Sequence, residues 1–343
     1  MATLTKTRTK ELVGPCVTIQ ASSVGEPALS LLQKCRGGFG RVQGMFGTTI
    51  NIDLGGGLIS LVTEMGERGP LNVKLPLSAG ELQASCRGLD VGDVVKVGRN
   101  ALELGSQYQV SLRSAEVYSP ELGLQVPVIA TADIRANMAV VARAGLLSGN
   151  LCGLGQLLCL PLDTTNRDDG WIPGGELNIF ARAALPAIVK LMSAITEQGD
   201  EVKEVREALR LLIGLGPGLT PSADDMLAGL ALFSGLYWIN TRKAERPSRL
   251  IAKGIRAEVS GRTTRLSEEF LKQAAFVKGN ESVLGLCSAL LTKGTATVER
   301  ESKRVLGIGE TSGTDIVLGV ILGGLACMGG SLRKAEGEAS MGR

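Results

Sequence analysis

The sequence contains no histidine. That absence excludes a Ser-His-Asp triad, a Cys-His pair and any histidine-ligated metal centre. Proton transfer, where it occurs, falls to Asp, Glu, Lys, Tyr, Cys or a substrate. Aromatic residues are scarce too, at 3% of 343 residues, so a core has to be built from Leu, Val, Ile, Ala and Met. The seven cysteines, at 16, 35, 86, 152, 159, 287 and 327, include no Cys-x-x-Cys pair. An odd count without paired spacing argues against a disulfide framework or a structural zinc site and for a reducing, cytoplasmic setting. Net charge is +3 with no long basic stripe, which gives no basis for nucleic-acid binding. Long apolar runs are lacking as well. The longest read from the sequence, 226–239 and 316–330, fall short of the roughly 18–20 residues that a bilayer requires. They read as buried helices, and no membrane partner is expected. The polar, basic residues 1–10 have no apolar stretch behind them and do not form a secretory signal.

What is present is a globular composition, 44% hydrophobic and 21% charged, with 46 glycines. The length suits two ordinary domains. Up to about residue 130 the texture is strand-like. Short apolar or β-branched segments at 13–20, 48–53, 58–62, 71–75, 93–97, 101–104 and 108–118 are separated by turn chemistry. Asn51-Ile52-Asp53-Leu54 runs into Gly55-Gly56-Gly57 and predicts a hairpin. One short helix is expected at 28–34. Beyond residue 130 apolar positions recur every three to four residues. Helices are expected at 132–147, 176–197, 201–212, 224–239, 247–259, 264–276, 282–291 and 314–328. The expected fold class is α+β: a small β-barrel or sandwich domain over 1–130, a mainly helical domain over 131–331, and a polar tail over 332–343. Ser119-Pro120 and Val126-Pro127 break regular structure at the change of texture. The polar loop 161–175, with Asp163, Thr164, Thr165, Asn166, Arg167, Asp168, Asp169 and Trp171, reads as a solvated connection, with a functional loop as the alternative.

The sharpest motif runs from Gly214 through Gly216, Gly218, Thr220 and Ser222 to Asp224 and Asp225, just ahead of an apolar helix. Glycines allow a tight turn and close approach to a ligand. A helix start offers free N–H groups and the positive end of the dipole to phosphate or carboxylate. Asp225 follows Ser222 by three residues, as in a capping box. The motif recurs: Thr311-Ser312-Gly313-Thr314-Asp315 precedes a second apolar helix, with the same spacing from Ser312 to Asp315. Two such copies suggest paired helices whose starts face one pocket, with Asp225 and Asp315 equivalent and each orienting its own helix start. A well-made cap after a glycine loop is the plainer reading of either copy alone. Arg262-Thr263-Thr264-Arg265-Leu266-Ser267 begins a third helix. It fits an oxyanion site and, equally, a cap with Arg265 paired to Glu269. No Gly-Lys-Ser/Thr follows the glycines, so this is not a Walker A loop. One or two carboxylates can hold Mg²⁺, but Asp224 and Asp225 point about 100° apart on a helix. Magnesium is not favoured, and neither a metal nor any other cofactor is expected.

The run Gly216-Pro217-Gly218-Leu219-Thr220-Pro221-Ser222-Ala223-Asp224-Asp225-Met226-Leu227-Ala228-Gly229 resembles the signature of the AllH-type subunit family of oxamate carbamoyltransferase. Thr263-Thr264-Arg265-Leu266-Ser267, the Thr311–Asp315 segment and the hairpin at Asn51 also fit it, in motif order from about 45 to 328. Ala223 stands where the signature has glycine, and Glu310 where histidine is common. The resemblance implies a subunit of an enzyme that interconverts oxalurate plus phosphate with oxamate plus carbamoyl phosphate, in allantoin and purine nitrogen catabolism. It implies partner subunits, one of them FdrA-like, and small anionic substrates. Carbamoyl transfer needs charge stabilisation as the carbonyl is attacked, which helix starts and arginines can supply. Two other readings stand beside it: a non-catalytic anion-binding or scaffolding protein, and a nucleotide-dependent kinase or ligase subunit.

Overall fold

A computed structural model describes residues 17–105, 108–119, 127–160, 176–197 and 201–329. The polar loop 161–175, the tail 332–343, Cys16 and the Pro120 and Val126 breaks lie outside the described residues. The chain divides into two compact units, one ending at Tyr118 and the other beginning at Ser119.

The first unit is a mixed sheet of ten short strands in the order β1-β9-β8-β7-β3-β4-β5-β6-β2-β10. The strands are β1 (Val17–Gln20), β2 (Ser23–Gly25), β3 (Phe39–Phe46), β4 (Thr49–Asp53), β5 (Leu58–Val62), β6 (Asn72–Lys74), β7 (Val94–Val97), β8 (Ala101–Leu104), β9 (Tyr108–Ser111) and β10 (Glu116–Tyr118). The two end strands explain its curl. β1 pairs with β9 and β2 with β10, both in parallel. Ala21 N–H donates to Ser111 O at 2.8 Å and Glu116 N–H to Ser22 O at 3.0 Å across the bends. Two bent segments thus run side by side and draw the ends of the sheet together. Along β7 and β8 the residues alternate as a half-buried sheet requires. Val95, Val97, Leu102 and Leu104 are buried, while Lys96 and Glu103 pair outside at 3.2 Å.

The expected hairpin is present: β4 and β5 pair from Thr49↔Val62 to Asp53↔Leu58. Gly55 takes φ +77° in its turn and donates its N–H to Asp53 Oδ1 at 2.7 Å. A conformation with positive φ is one that glycine adopts at no steric cost. The sequence reading missed β3, which lies between β7 and β4. Gly40 and Gly44 hide its alternation, and the register slips between Val42 and Gly44, as at a bulge. Helix α1 spans Glu26–Lys34. Helix α2, Ala79–Ser85, was also missed; it opens on a capping box between Ser78 and Glu81. The expected single strand 108–118 is two strands, β9 and β10.

The second unit is helical: α3 (Thr131–Ser148), a 3-10 turn (Gly155–Cys159), α4 (Ile179–Thr196), α5 (Glu201–Leu212), α6 (Ser222–Thr241), α7 (Glu245–Glu258), α8 (Arg265–Ala274), α9 (Glu281–Thr292), α10 (Thr295–Leu306) and α11 (Ser312–Cys327). The apolar helices α6 and α11 are buried on nearly every face and form its centre. Their backbones touch. A Cβ on Gly319 would overlap Met226 O, one on Gly229 would overlap Ile316 O, and one on Gly323 would sit 3.0 Å from Leu230 O. Residue numbers rise together along both helices, so the pair is parallel. Helix α10 escaped the sequence reading because few of its positions are apolar; Glu301 and Ser302 share its buried face with Val298 and Val305. One correction concerns apolar length. Among the described residues, Ile179–Thr196 is the one helix long and apolar enough to cross a membrane by length and composition. Its Ala181, Ala184, Ile188, Leu191 and Ile195 are buried in the helical core, and Arg182 and Lys190 interrupt its other face.

Candidate functional site

The parallel packing of α6 and α11 sets the two copies of the motif side by side. The Thr220 and Ser312 hydroxyls lie 3.1 Å apart, and those of Ser222 and Thr311 lie 3.5 Å apart. Each Gly-rich loop therefore meets the start of the other helix. Gly216, at φ +123°, makes this possible for the first loop: a Cβ there would lie 2.5 Å from Ser222 N. Gly218 also has positive φ, at +92°. Gly313 packs its backbone against Val305 O.

The expected capping boxes are not formed. Ser222 and Ser312 are the first helical residues rather than caps, and neither Pro221 nor Thr311 caps its helix with a side chain. The reason is that first-turn donors are already used. Asp224 and Asp225 N–H bond to Pro221 O, Thr314 and Asp315 N–H to Thr311 O, Ala223 N–H to Leu215 O, and Gly313 N–H to Ile308 O. The aspartates instead cross over. Asp225 lies beside the hydroxyls of Ser312 and Thr220. Asp315 lies beside those of Ser222 and Thr311 and accepts Leu154 N–H at 2.7 Å. Nor are the two equivalent. Asp315 and Ser222 are fully buried, whereas Asp225 keeps 9% of its surface exposed and its partners Thr220 and Ser312 are only half-buried.

Asp224 points elsewhere. Its Oδ1 accepts Gly214 N–H at 2.8 Å, and its Oδ2 accepts the hydroxyls of Ser267, at 2.7 Å, and Thr263. It thus ties the glycine loop and the α8 start to α6. Asp224 and Asp225 face different partners and do not converge on one point.

Burial dominates the electrostatics. It pushes the Asp225 carboxyl up to about 8, with the nearby Asp315 charge adding to the rise and the Ser312 and Thr220 hydroxyls opposing it. It pushes Asp315 up to about 6 against the bonds from Ser222, Leu154 and Thr311. Asp224 is also raised by burial, against its three hydrogen bonds. The positive ends of two helices favour negative charge here, but without a cation this does not offset the loss of solvent. Oδ2 of Asp225 and Oδ2 of Asp315 are buried and have no hydrogen-bond partner.

At the third motif, Thr264 caps α8, accepting Ser267 N–H at 3.1 Å, and its hydroxyl donates to Leu219 O. Arg265 approaches Glu268 and Glu269 at 3.5 Å. Cap and pairing are therefore both present. Arg262 approaches Glu258 at 3.5 Å, where Arg206 and Arg210 also converge. Their hydrogen bonds, that of Arg210 foremost, hold the Glu258 carboxyl down at about 2. Three guanidiniums on one carboxylate leave an excess of positive charge, and each is about half-exposed.

Sequence reasoning missed the loop that closes the back of the site. Asn150 N–H donates to Thr314 Oγ1 at 2.9 Å. A Cβ on Gly153 would lie 2.5 Å from Asp315 Oδ2 and 2.6 Å from Ser222 Oγ. Asn178, the α4 cap, donates to Gly153 O at 2.8 Å and holds the loop in place. The glycines in Cys152-Gly153-Leu154-Gly155 were the available signal. Of the two departures from the signature, Ala223 is buried and Glu310 is exposed. Asn51 belongs to the β unit, where its Oδ1 accepts the Ser60 hydroxyl at 2.7 Å across β4 and β5.

Comparison with known proteins covers both units. The family "oxamate carbamoyltransferase subunit AllH" matches residues 212–324, which hold α6, α8, most of α11 and all three motifs. The family "AllH family N-terminal domain" matches residues 20–117, nearly the whole curled sheet. No solved structure matches the chain. With both family descriptions matched, in order and over most of its length, the chain belongs to the AllH family, that of the oxamate carbamoyltransferase subunit.

Proposed function

We propose that this chain is the subunit of a carbamoyltransferase that interconverts oxalurate plus phosphate with oxamate plus carbamoyl phosphate, within allantoin and purine nitrogen catabolism. In this reading it works in the cytoplasm with partner subunits, one of them FdrA-like, and small anions bind at the paired helix starts. The observation that supports it most is the meeting of two Gly/Thr/Ser/Asp motifs at one end of a parallel helix pair, inside the segment that the family match covers.

The chemistry suits these ligands. Oxalurate, oxamate, phosphate and carbamoyl phosphate all carry negative charge. Arg206, Arg210 and Arg262 gather surplus guanidinium charge on Glu258, and the backbone of Arg262 packs against Gly214 of the first glycine loop. Such a field raises the local concentration of anions. Gly216, Gly218, Thr220, Ser312 and Thr311 supply a polar surface at the helix starts, and Thr263, Thr264, Arg265 and Ser267 border it. Asp224, Ser267, Thr263 and Gly313 shape the site, since their polar groups or backbones are occupied within the protein. Asn51 has no assigned part in this step.

The test is turnover. The subunits co-purified from cells that express them together are supplied with oxalurate and phosphate, and carbamoyl phosphate is measured. The complex is expected to form it and the isolated chain to form little while still binding phosphate weakly by calorimetry. Full activity from the single polypeptide refutes the subunit requirement, and an inert complex refutes the reaction.

A further inference from the structure

The pseudo-symmetric pair of acids contains one member, Asp225, that keeps 9% of its surface exposed beside two half-buried hydroxyls, and one, Asp315, that is fully buried beneath Gly153. We propose that Asp225, acting through the paired hydroxyls of Ser312 and Thr220, supplies the proton that a ureido nitrogen needs when its C–N bond breaks, while Asp315 is the structural counterpart. The proposal rests on the carbamoyl-transfer reading above.

Geometry carries it. Ser312 and Thr220 lie 3.1 Å apart, with either able to donate, and both face the Asp225 carboxyl. Their half-buried position lets them meet a ligand at the mouth of the two loops, which the carboxyl behind them does not do directly. Oδ2 of Asp225 is buried without a partner in a side chain that is only 9% exposed. An ionised oxygen left so is costly, whereas a protonated one is a donor in need of an acceptor. Among the described residues the charged groups facing Asp225 are Asp315 on α11 and Asp224 on its own helix, both acidic. Burial and these like charges hold the carboxyl protonated at neutral pH, which is the state a general acid requires. In a chain without histidine, few other groups meet that condition. Asp315 also has an unpartnered Oδ2 and a half-buried partner in Thr311, but its Oδ1 is committed to Leu154 N–H, its other partner Ser222 is fully buried, and Gly153 covers both.

The step balances. A phosphate oxygen forms the new C–O bond to the carbamoyl carbon, and the C–N bond to the oxamate nitrogen breaks with its electron pair remaining on nitrogen. That nitrogen takes a proton from the hydroxyl pair, which is refilled from Asp225. The proton released by the attacking hydrogen phosphate returns to the Asp225 carboxylate. The reverse reaction uses the same groups in the opposite order.

The experiment uses the assembled complex for activity and the full-length chain for titration. In the complex, Asp225→Asn and the Thr220→Val/Ser312→Ala double variant are expected to lower kcat for oxalurate with phosphate about 100-fold or more, the usual range for a general acid; Asp225→Asn should leave KM for phosphate little changed, whereas the double variant, which also removes binding hydroxyls, should raise it. The fall of wild-type kcat above about pH 8 should vanish from the residual Asp225→Asn rate and persist in Asp315→Asn. In the isolated chain, infrared difference spectra should show a protonated carboxyl band at neutral pH that titrates near pH 8 and is missing in Asp225→Asn. An active complex in which Asp225→Asn keeps its kcat and its alkaline limb overturns the proposal. So does a chain without that band. A wild-type complex inert toward oxalurate overturns the carbamoyl-transfer reading itself and is told apart by the infrared result, which does not depend on turnover.

Discussion

Replacing Asp225 by asparagine should make the protein more stable in alkali than the wild type, and the size of the gain follows from the burial of its carboxyl. Asp225 titrates from 3.8 in an unperturbed chain to about 8 in the fold. Between those values the folded state holds a proton that the unfolded state has released, so stability declines as pH rises from about 4 through about 8 and levels off above. Moving one carboxyl across that interval is worth on the order of 6 kcal/mol at 1.36 kcal/mol per pH unit. Asparagine resembles the protonated acid in shape and cannot ionise, so it removes this decline. Near pH 4 the two proteins should melt within about 1 kcal/mol of each other, and by pH 9 the variant should be ahead by several kcal/mol. Asp315→Asn should show the same trend over the shorter window from about 4 to about 6. The two effects should not add, because the Asp315 charge is part of what raises Asp225. Urea titrations at half-unit pH steps measure this. Wild type and Asp225→Asn with parallel stability curves from pH 4 to pH 9 would refute the buried, neutral carboxyl.

Four further outcomes follow from the packing. Gly319→Ala should cost about 3 kcal/mol or more, because its methyl group meets Met226 O on a rigid helix backbone, whereas Gly80→Ala, open on all sides in α2, should be neutral or slightly stabilising; thermal melts compare them. Asp224→Ala should cost about 3 kcal/mol, since Gly214 N–H, Thr263 and Ser267 lose a buried acceptor, and hydrogen exchange should rise in the 214–220 loop. Glu258→Gln should cost about 1 kcal/mol at pH 7 after solvent screening of its half-exposed arginines, an effect present above about pH 4.5 and lost as pH falls toward 2, checked by acid unfolding. Limited proteolysis with mass mapping should cut between Tyr118 and Thr131 and leave two resistant fragments; cuts confined to the C-terminal end would count against independent domains.

Much of the architecture was legible because it rests on periodicity. The change from strand to helical texture, the hairpin at Gly55 and the apolar helices α6 and α11 all follow from where hydrophobic residues recur. The misses share a physical cause: their burial is not carried by apolar side chains. In β3, Gly40 and Gly44 occupy positions where neighbours need the space. In α10, Glu301 and Ser302 are buried among hydrophobic residues, with Arg300 and Arg304 paired to Glu301. Helix α4 carries arginine and lysine within its span, so its run of small and aliphatic residues did not stand out as the longest apolar segment.

At the site, the sequence revealed a repeat but not its wiring. Ser222 to Asp225 and Ser312 to Asp315 have the spacing of a capping box, and a local rule closes each box within its own helix. That rule holds only when first-turn donors are free. Here Pro221 O and Thr311 O take the donors on each helix, and three glycines let the helices pack parallel and in contact. Parallel packing is what brings the two starts together, and it sets each carboxyl between one hydroxyl of its own copy and one of the other. Close contact then removes solvent, which raises both acids. The difference between them comes from residues far off in sequence: Gly153 and Leu154 close over Asp315, while among the described residues Thr220 and Ser312 stay half-buried. A duplicated motif therefore becomes one buried structural acid and one acid with access to the surface, a distinction that arises only when the third segment, 149–154, is in place.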